Sequence, residues 1–178
     1  MEQVVLVDRK DRPIGLMDKL EAHKNGGRLH RAISVFLSRR KNGRVEVLVQ
    51  QRSKEKPLWP LFWSNSVCTH PRDREGYLEC AVRRLHEELG IDMNPKDLKV
   101  LYRLEYQAAY NQLLSEHELD TVMVGEYEGD VTPQASEVAA LKWMPWDGLQ
   151  SDIQRNPSSY TPWFRMIVAN EKTQHFME

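Results

Sequence analysis

Residues 64–91 read SNSVCTHPRDREGYLECAVRRLHEELGI, and the organisation of the chain turns on them. The stretch opens with Cys68 and His70, two apart, and runs into a segment whose apolar and charged residues separate at helical spacing. At about 100° per residue, Leu78, Val82, Leu85 and Leu89 form one stripe, and Arg84, Glu87 and Glu88 gather with Cys80 on the other side. The spacing predicts an amphipathic helix with a core side and a working side. Gly90 stands where a helix stops, so Glu87 and Glu88 fall in the last turn, where the helix dipole disfavours carboxylates unless a cation offsets them. That placement asks for a metal.

Working outward, 178 residues fit one domain, 1–178, long enough to bury about 70% of the surface of the unfolded chain. The formal net charge of −1, from 25 basic and 26 acidic residues, removes the broad electrostatic reason to expect nucleic acid or a membrane as partner. Only two cysteines occur, Cys68 and Cys80, the opening MEQVVLVDRK has a four-residue apolar run, and no stretch has the length of a membrane span. A reduced, cytoplasmic setting is expected. The oligomeric state is left open by these features.

The pattern before and after the central stretch alternates strands with helices. Val4–Val7 reads as a strand, residues 8–15 as a turn, and residues 16–28 as a short helix ending in a loop at Gly26-Gly27, bracketed by His23 and His30. Ala32–Leu37 and Val45–Gln50 flank Asn42-Gly43, the strongest short hairpin signal. Trp59, Phe62 and Trp63 form an aromatic approach to Cys68. Residues 98–110 read as mixed, mostly strand, with Tyr102, Tyr106 and Tyr110 at a spacing that fits either period. Residues 116–127 are rich in β-formers, and a strand there sends Glu116 and Glu118 to the same face. Residues 129–136 are a loop, 138–144 a strand and 146–155 a helix. Thr161-Pro162 opens a closing helix over 163–170, so residues 146–178 make a helical segment that closes the site.

Taken together, His23, His30, His70, Glu116 and Glu118 are three imidazoles and two carboxylates, a set suited to a five- or six-coordinate divalent ion such as Zn, Mn or Mg. Taken singly, each histidine reads as solvated or as a hydrogen-bonded core residue. Arg84 and Glu88, four apart, also form an ordinary surface ion pair. Cys68 has polar neighbours in Asn65, Ser66 and Thr69 at the mouth of the predicted helix, which favours a working thiol, whereas Cys80 is read as structural.

Glu75, Arg83, Glu87, Glu88, Gly90 and Ile91 resemble the Nudix box, GX5EX7REUXEEXGU with U aliphatic, whose loop and helix hold a divalent ion against a diphosphate. Thr69 replaces the first glycine and Arg84 the glutamate after the arginine, a catalytic position in the hydrolases. Both departures point away from hydrolysis. The runs NSVCTHP at 65–71, EHE at 116–118, SYTPW at 159–163 and RLH ending at His30 resemble the type 1 isopentenyl-diphosphate isomerases, and this likeness spans 19–163. It implies a single α/β (α+β) Nudix fold, a mixed sheet sandwiched between helices, acting on a prenyl diphosphate.

The same resemblance implies that Cys68 and Glu118 are the acid–base pair, with Tyr106 beside Glu118 and Trp163 facing the carbocation. It implies His23, His30, His70, Glu116 and Glu118 as ligands of an inner ion, Mn2+, Zn2+ or Mg2+, and Glu88 as holding a second ion, Mg2+, with the substrate. Lys19, Arg52, Lys56 and Arg84 match the cations around the diphosphate. Glu87, which hydrolases keep, maintains the alternative of a pyrophosphohydrolase acting on a nucleotide or prenyl diphosphate. A non-catalytic diphosphate sensor is a second rival, one with no use for Cys68 or for the Glu116 and Glu118 pair.

Overall fold

The computed structural model describes residues 2–177. In chain order the elements are β1 (Gln3–Val7), β2 (Pro13–Asp18), α1 (Lys19–Ala22), β3 (His30–Lys41), β4 (Arg44–Arg52), β5 (Trp63–Ser64), β6 (Val67–Thr69) and α2 (Tyr77–Leu89). There follow β7 (Leu98–Ala109), β8 (Ser115–Glu126), β9 (Val138–Pro145), α3 (Trp146–Arg155), α4 (Pro162–Ala169) and α5 (Glu171–Met177). β3 is the hub of the sheet. It runs antiparallel to β1, β4 and β6 and parallel to β8, which makes the sheet mixed.

Alternation along β3 and β8 decides what lies on each side. Ile33, Val35, Leu37 and Met123 pack with Ala81, Leu85 and Leu89 of α2, while Phe36, Val122 and Val124 pack with Trp163, Phe164 and Ile167 of α4. Side chains two apart on a strand share a face, so His30 goes with Phe36, and Glu116, Glu118 and Asp120 go with Val122, all toward α4. The sheet is thus sandwiched between helices, and His30, Glu116 and Glu118 fall on its α4 side, whereas Arg84 and Glu88 belong to α2 on the other.

The hairpin at Asn42-Gly43 forms as its dipeptide predicts, both residues having positive φ and Lys41 pairing with Arg44. Gly90 caps α2 in the left-handed conformation, its N–H bonding the carbonyl of His86. Tyr102 and Tyr106 are settled as strand residues of β7, which pairs with β8.

Four expectations are corrected. Residues 16–28 are chiefly not helix: Leu16 and Met17 pair with Val5 and Val4 as edge strand β2, which satisfies their backbone, and α1 is a single turn capped by the Asp18 carboxylate. The buried arc of α2 is rolled toward its polar side, taking in Cys80, Ala81, Leu85, Glu88 and Leu89 and leaving Leu78 and Val82 half-buried. The polar groups on that arc come inside because Arg84 and Glu88 bury as a pair. Cys68 lies on β6, nine residues before α2, so no helix terminus acts on its thiol. The closing helix ends at Ala169 and a further helix, α5, follows Asn170. Thr161 does precede α4, but its hydroxyl bonds Ser64 Oγ at 3.2 Å rather than the helix N–H groups.

Candidate active site and metal centre

Three separate segments deliver the histidines. His23 ends α1, and its carbonyl accepts the Ser115 N–H at 2.8 Å, which sets it beside Glu116 at the start of β8. The turn between His23 and His30 needs Gly27: its φ is +81°, and a Cβ there would lie 2.9 Å from the Cβ of His117. His30 opens β3 directly across the parallel register from Glu118. His70 lies just past β6, two residues beyond Cys68, which pairs with Ser34 of β3. The Cys-x-His spacing is therefore a strand spacing that points both side chains the same way.

One ligand atom from each of His23, His30, His70, Glu116 and Glu118 lies within 4.8 Å of all the others. The imidazole centroids are 4.9 to 5.7 Å apart. His23 Nδ1 meets the Lys19 carbonyl at 2.6 Å and His30 Nδ1 meets that of Arg28 at 2.7 Å; a carbonyl only accepts, so both nitrogens carry the proton and both Nε2 lone pairs face inward. His23 Nε2 stands 2.7 Å from Glu116 Oε2, and His70 Nε2 stands 2.9 Å from Glu118 Oε1. His30 Nε2 and Glu116 Oε2 are fully buried without a hydrogen-bond partner. Ring nitrogens and carboxylate oxygens that converge on one buried point, with two of those atoms left unpartnered, fit a divalent cation.

The electrostatics agree with so dense a cluster. Burial drives His70 down to about 3 against the pull of Glu118. Burial also acts to raise the Glu118 carboxyl, but the imidazoles of His30 and His70 beside it hold it well below the usual carboxylate range. Tyr106 donates to the second Glu118 oxygen at 2.5 Å, and burial followed by the Glu118 charge pushes its phenol well above the usual value.

A cavity of about 340 Å3 is lined by Cys68, Tyr106, Glu116, Glu118 and Trp163 together with Lys19, Arg52 and Lys56. Burial pushes the Cys68 thiol up, with Arg52 opposing, so the sulfur keeps its proton at neutral pH. Arg52 is held by the carbonyls of Trp59 at 3.0 Å and Leu58 at 2.9 Å, reaches Cys68 Sγ at 3.4 Å, and lies over the Trp163 ring at 5.3 Å. Trp163 also donates to Ser64 Oγ at 3.1 Å. Trp59 and Tyr106 flank it at 5.4 and 6.2 Å, so it serves as core residue and as cavity wall at once.

A second cavity, about 410 Å3, adjoins the first through Lys19, Lys56 and His70 and is lined also by Arg72, Arg83, Arg84 and Glu137. Arg84 is held there by three carboxylates: Glu88 at 2.6 Å, Glu87 at 3.0 Å and Glu137 at 3.3 Å. Glu88 stands apart from the five-residue cluster. Its side chain is 1% exposed, with one oxygen on Arg84 and the other 3.4 Å from Gln50 Nε2. Arg83 is taken up by Glu75, at 2.6 and 2.8 Å, which ties the loop before α2 to the helix.

Two residues at the site escaped the sequence reading. Asp120, buried beneath Glu118, accepts from Ser34 Oγ at 2.7 Å; the alternation that singled out Glu116 and Glu118 points to it as the next member. Glu137 follows the loop at 129–136, and nothing in its sequence context marks it.

A model of the NUDIX domain matches residues 28–164. The chain is similar to the isopentenyl-diphosphate Delta-isomerase 1 of Photorhabdus laumondii, with 42% identity over 99% of this chain and 98% of that one. It is similar also to the isopentenyl-diphosphate Delta-isomerase of Burkholderia multivorans, with 38% identity over 94% and 91% of the two chains. Among solved structures, a Deinococcus radiodurans protein shares the fold with a TM-score of 0.75 at 17% identity, covering 94% of this chain and 97% of that one. The NUDIX domain of Shewanella oneidensis NrtR complexed with ADP ribose gives 0.62 at 14% identity over 84% and 88%.

Proposed function

The chain belongs to the NUDIX family and, within it, to the isopentenyl-diphosphate Delta-isomerases, and from that premise we propose that its cavity interconverts isopentenyl and dimethylallyl diphosphate by placing one proton on the bound prenyl chain and removing another. The observation that carries this is a shared wall: Cys68, Tyr106, Glu118 and Trp163 line the same cavity as Lys19, Arg52 and Lys56. Apolar and acid–base groups thus meet the hydrocarbon while cations meet the phosphates.

The reaction needs one acid and one base on opposite sides of a flat carbon skeleton. Cys68, with its proton retained, is the donor of the pair, and Glu118, ionised and oriented by Tyr106, is the acceptor. They exchange roles for the reverse direction. The tertiary cation between the two steps lies against Trp163, a contact worth about 0.5 to 2 kcal/mol when desolvated. Cys68 and Trp163 are both fixed through Ser64, the thiol at 3.8 Å and the indole at 3.1 Å. His23, His30, His70, Glu116 and Glu118 would hold a divalent ion, which supplies positive charge that keeps Glu118 in place and tunes its basicity. Lys19, Arg52, Lys56 and Arg84 bind the diphosphate, and Glu88 takes part with a second ion, Mg2+, that accompanies it.

The hydrolase alternative calls for a carboxylate where Arg84 stands. The guanidinium there, set among Glu87, Glu88 and Glu137, favours a gripped diphosphate over a cleaved one. Incubation of the protein with Mg2+ and isopentenyl diphosphate in deuterated water tests the reading. The expected result is dimethylallyl diphosphate carrying solvent deuterium with no phosphate released; phosphate release without interconversion would refute it.

A further inference from the structure

Glu137 joins two cations that the proposed function gives to the diphosphate. One of its oxygens is paired with Lys56 Nζ and the other lies 3.3 Å from Arg84 Nη2. The carboxylate is set there by backbone rather than by chance reach of a long side chain. Thr132 and Gln134 donate to the carbonyls of Leu89 and Glu88 at the end of α2, each at 2.8 Å, and the Glu137 carbonyl accepts from Ser53 at 3.0 Å. The loop before β9 is therefore fastened both to α2, which carries Arg84, and to the segment after β4, which carries Lys56. Exposure distinguishes Glu137 from Glu2, another acid at this cavity: the Glu137 side chain is 26% exposed, whereas Glu2, paired with Lys19 at 3.1 Å, is 60% exposed. Solvent screens Glu2 far more than Glu137.

We propose that Glu137 is a displaceable internal anion of the diphosphate site, neutralising Lys56 and Arg84 while the site is free and standing against a diphosphate that arrives without a cation of its own. The proposal rests on the reading of Lys56 and Arg84 as diphosphate ligands. A carboxylate beside the incoming phosphates repels them and competes for both cations, so it weakens bare diphosphate. A diphosphate that brings a divalent ion neutralises the displaced carboxylate and escapes that penalty. Glu137 would then select the metal complex over the free anion.

Calorimetric titration of inorganic diphosphate into the intact protein, in excess chelator and then with Mg2+, measures this. Glu137→Gln is expected to bind bare diphosphate at least about tenfold tighter than the wild type, about 1.4 kcal/mol, with the gap narrowing as Mg2+ is added. Glu137→Ala is expected to do the same, which keeps the test decisive if one variant fails to fold. Glu2→Gln is expected to change binding less than either. Equal or weaker binding by the Glu137 variants overturns the role of Glu137 alone. Failure of the wild type itself to bind diphosphate with or without Mg2+ overturns the diphosphate site and the proposal with it.

Discussion

Replacing Tyr106 by Phe removes a single oxygen and leaves the ring between β8 and Trp163. The phenol is buried and donates at 2.5 Å to Glu118 Oε2, so its loss strips a hydrogen bond from a buried carboxylate and puts nothing in its place. Hydrogen bonds to charged groups contribute about 1.5 to 3 kcal/mol. Loss of this one therefore raises the Glu118 carboxyl from its depressed position. The sign follows from the bond, which favours the ionised form. If the same interaction orients the acceptor in the transition state, kcat falls about 10- to 100-fold. Tyr106 touches none of the cations assigned to the diphosphate, so KM stays within about threefold, as expected for an interaction strengthened only in the transition state. The folded state loses the bond as well, and the melting temperature drops by about 3 to 12 °C for a chain of this size. Steady-state isomerisation kinetics and a thermal melt of Tyr106→Phe read both. Unchanged kcat, or a rise in KM alone, would refute the assignment of Tyr106 to Glu118.

Cys68→Ala should abolish interconversion while leaving diphosphate affinity within about twofold, since the sulfur is not among the assigned phosphate ligands; measurable turnover would remove the thiol from the mechanism. His70→Ala should lower the metal-to-protein ratio by about tenfold or more in elemental analysis after dialysis against limiting metal, and an unchanged ratio would contradict the cluster. Burial and the neighbouring Glu118 raise the Asp120 carboxyl well above its usual range. A carboxyl raised on folding supports the fold below its unfolded pKa and loses that support as pH rises through the folded value. In metal-free protein, Asp120→Asn should therefore hold its melting temperature better than the wild type as pH increases from 4 toward neutrality, by about 2 °C or more, and parallel profiles would argue against it. Glu75, by contrast, is lowered: burial opposes, but the Arg83 hydrogen bonds prevail, so its contribution is present above the unfolded carboxyl pKa and fades as acid is added below it. Glu75→Gln should accordingly flatten the acid limb of the melting profile.

Local chemistry made much of this protein legible from its residues alone. Asn42-Gly43 announces its hairpin because both residues tolerate positive φ, and Gly90 announces the end of α2 for the same reason. The period of two along β8 placed Glu116 and Glu118 on one face before any neighbour was known. What strand or helix period cannot convey is what lies opposite. His30 stands beside Glu118 only because β3 and β8 pair in parallel across 88 residues of chain, and His23 reaches Glu116 through the backbone bond from Ser115. The roll of α2, which buries Glu88 and Cys80, follows from the sheet it packs on and from the ion pair with Arg84, not from the hydrophobic stripe. Residues 16–18 form a strand because β1 offers an edge, an influence no local propensity contains. Glu137 is the clearest case: its sequence neighbours are those of an ordinary loop, and its meaning arises where that loop, α2 and the segment after β4 converge on Lys56 and Arg84. The sequence by itself determined which elements form and which chemical groups are available; tertiary pairing decided which groups share a cavity, because that depends on contacts between residues far apart in the chain.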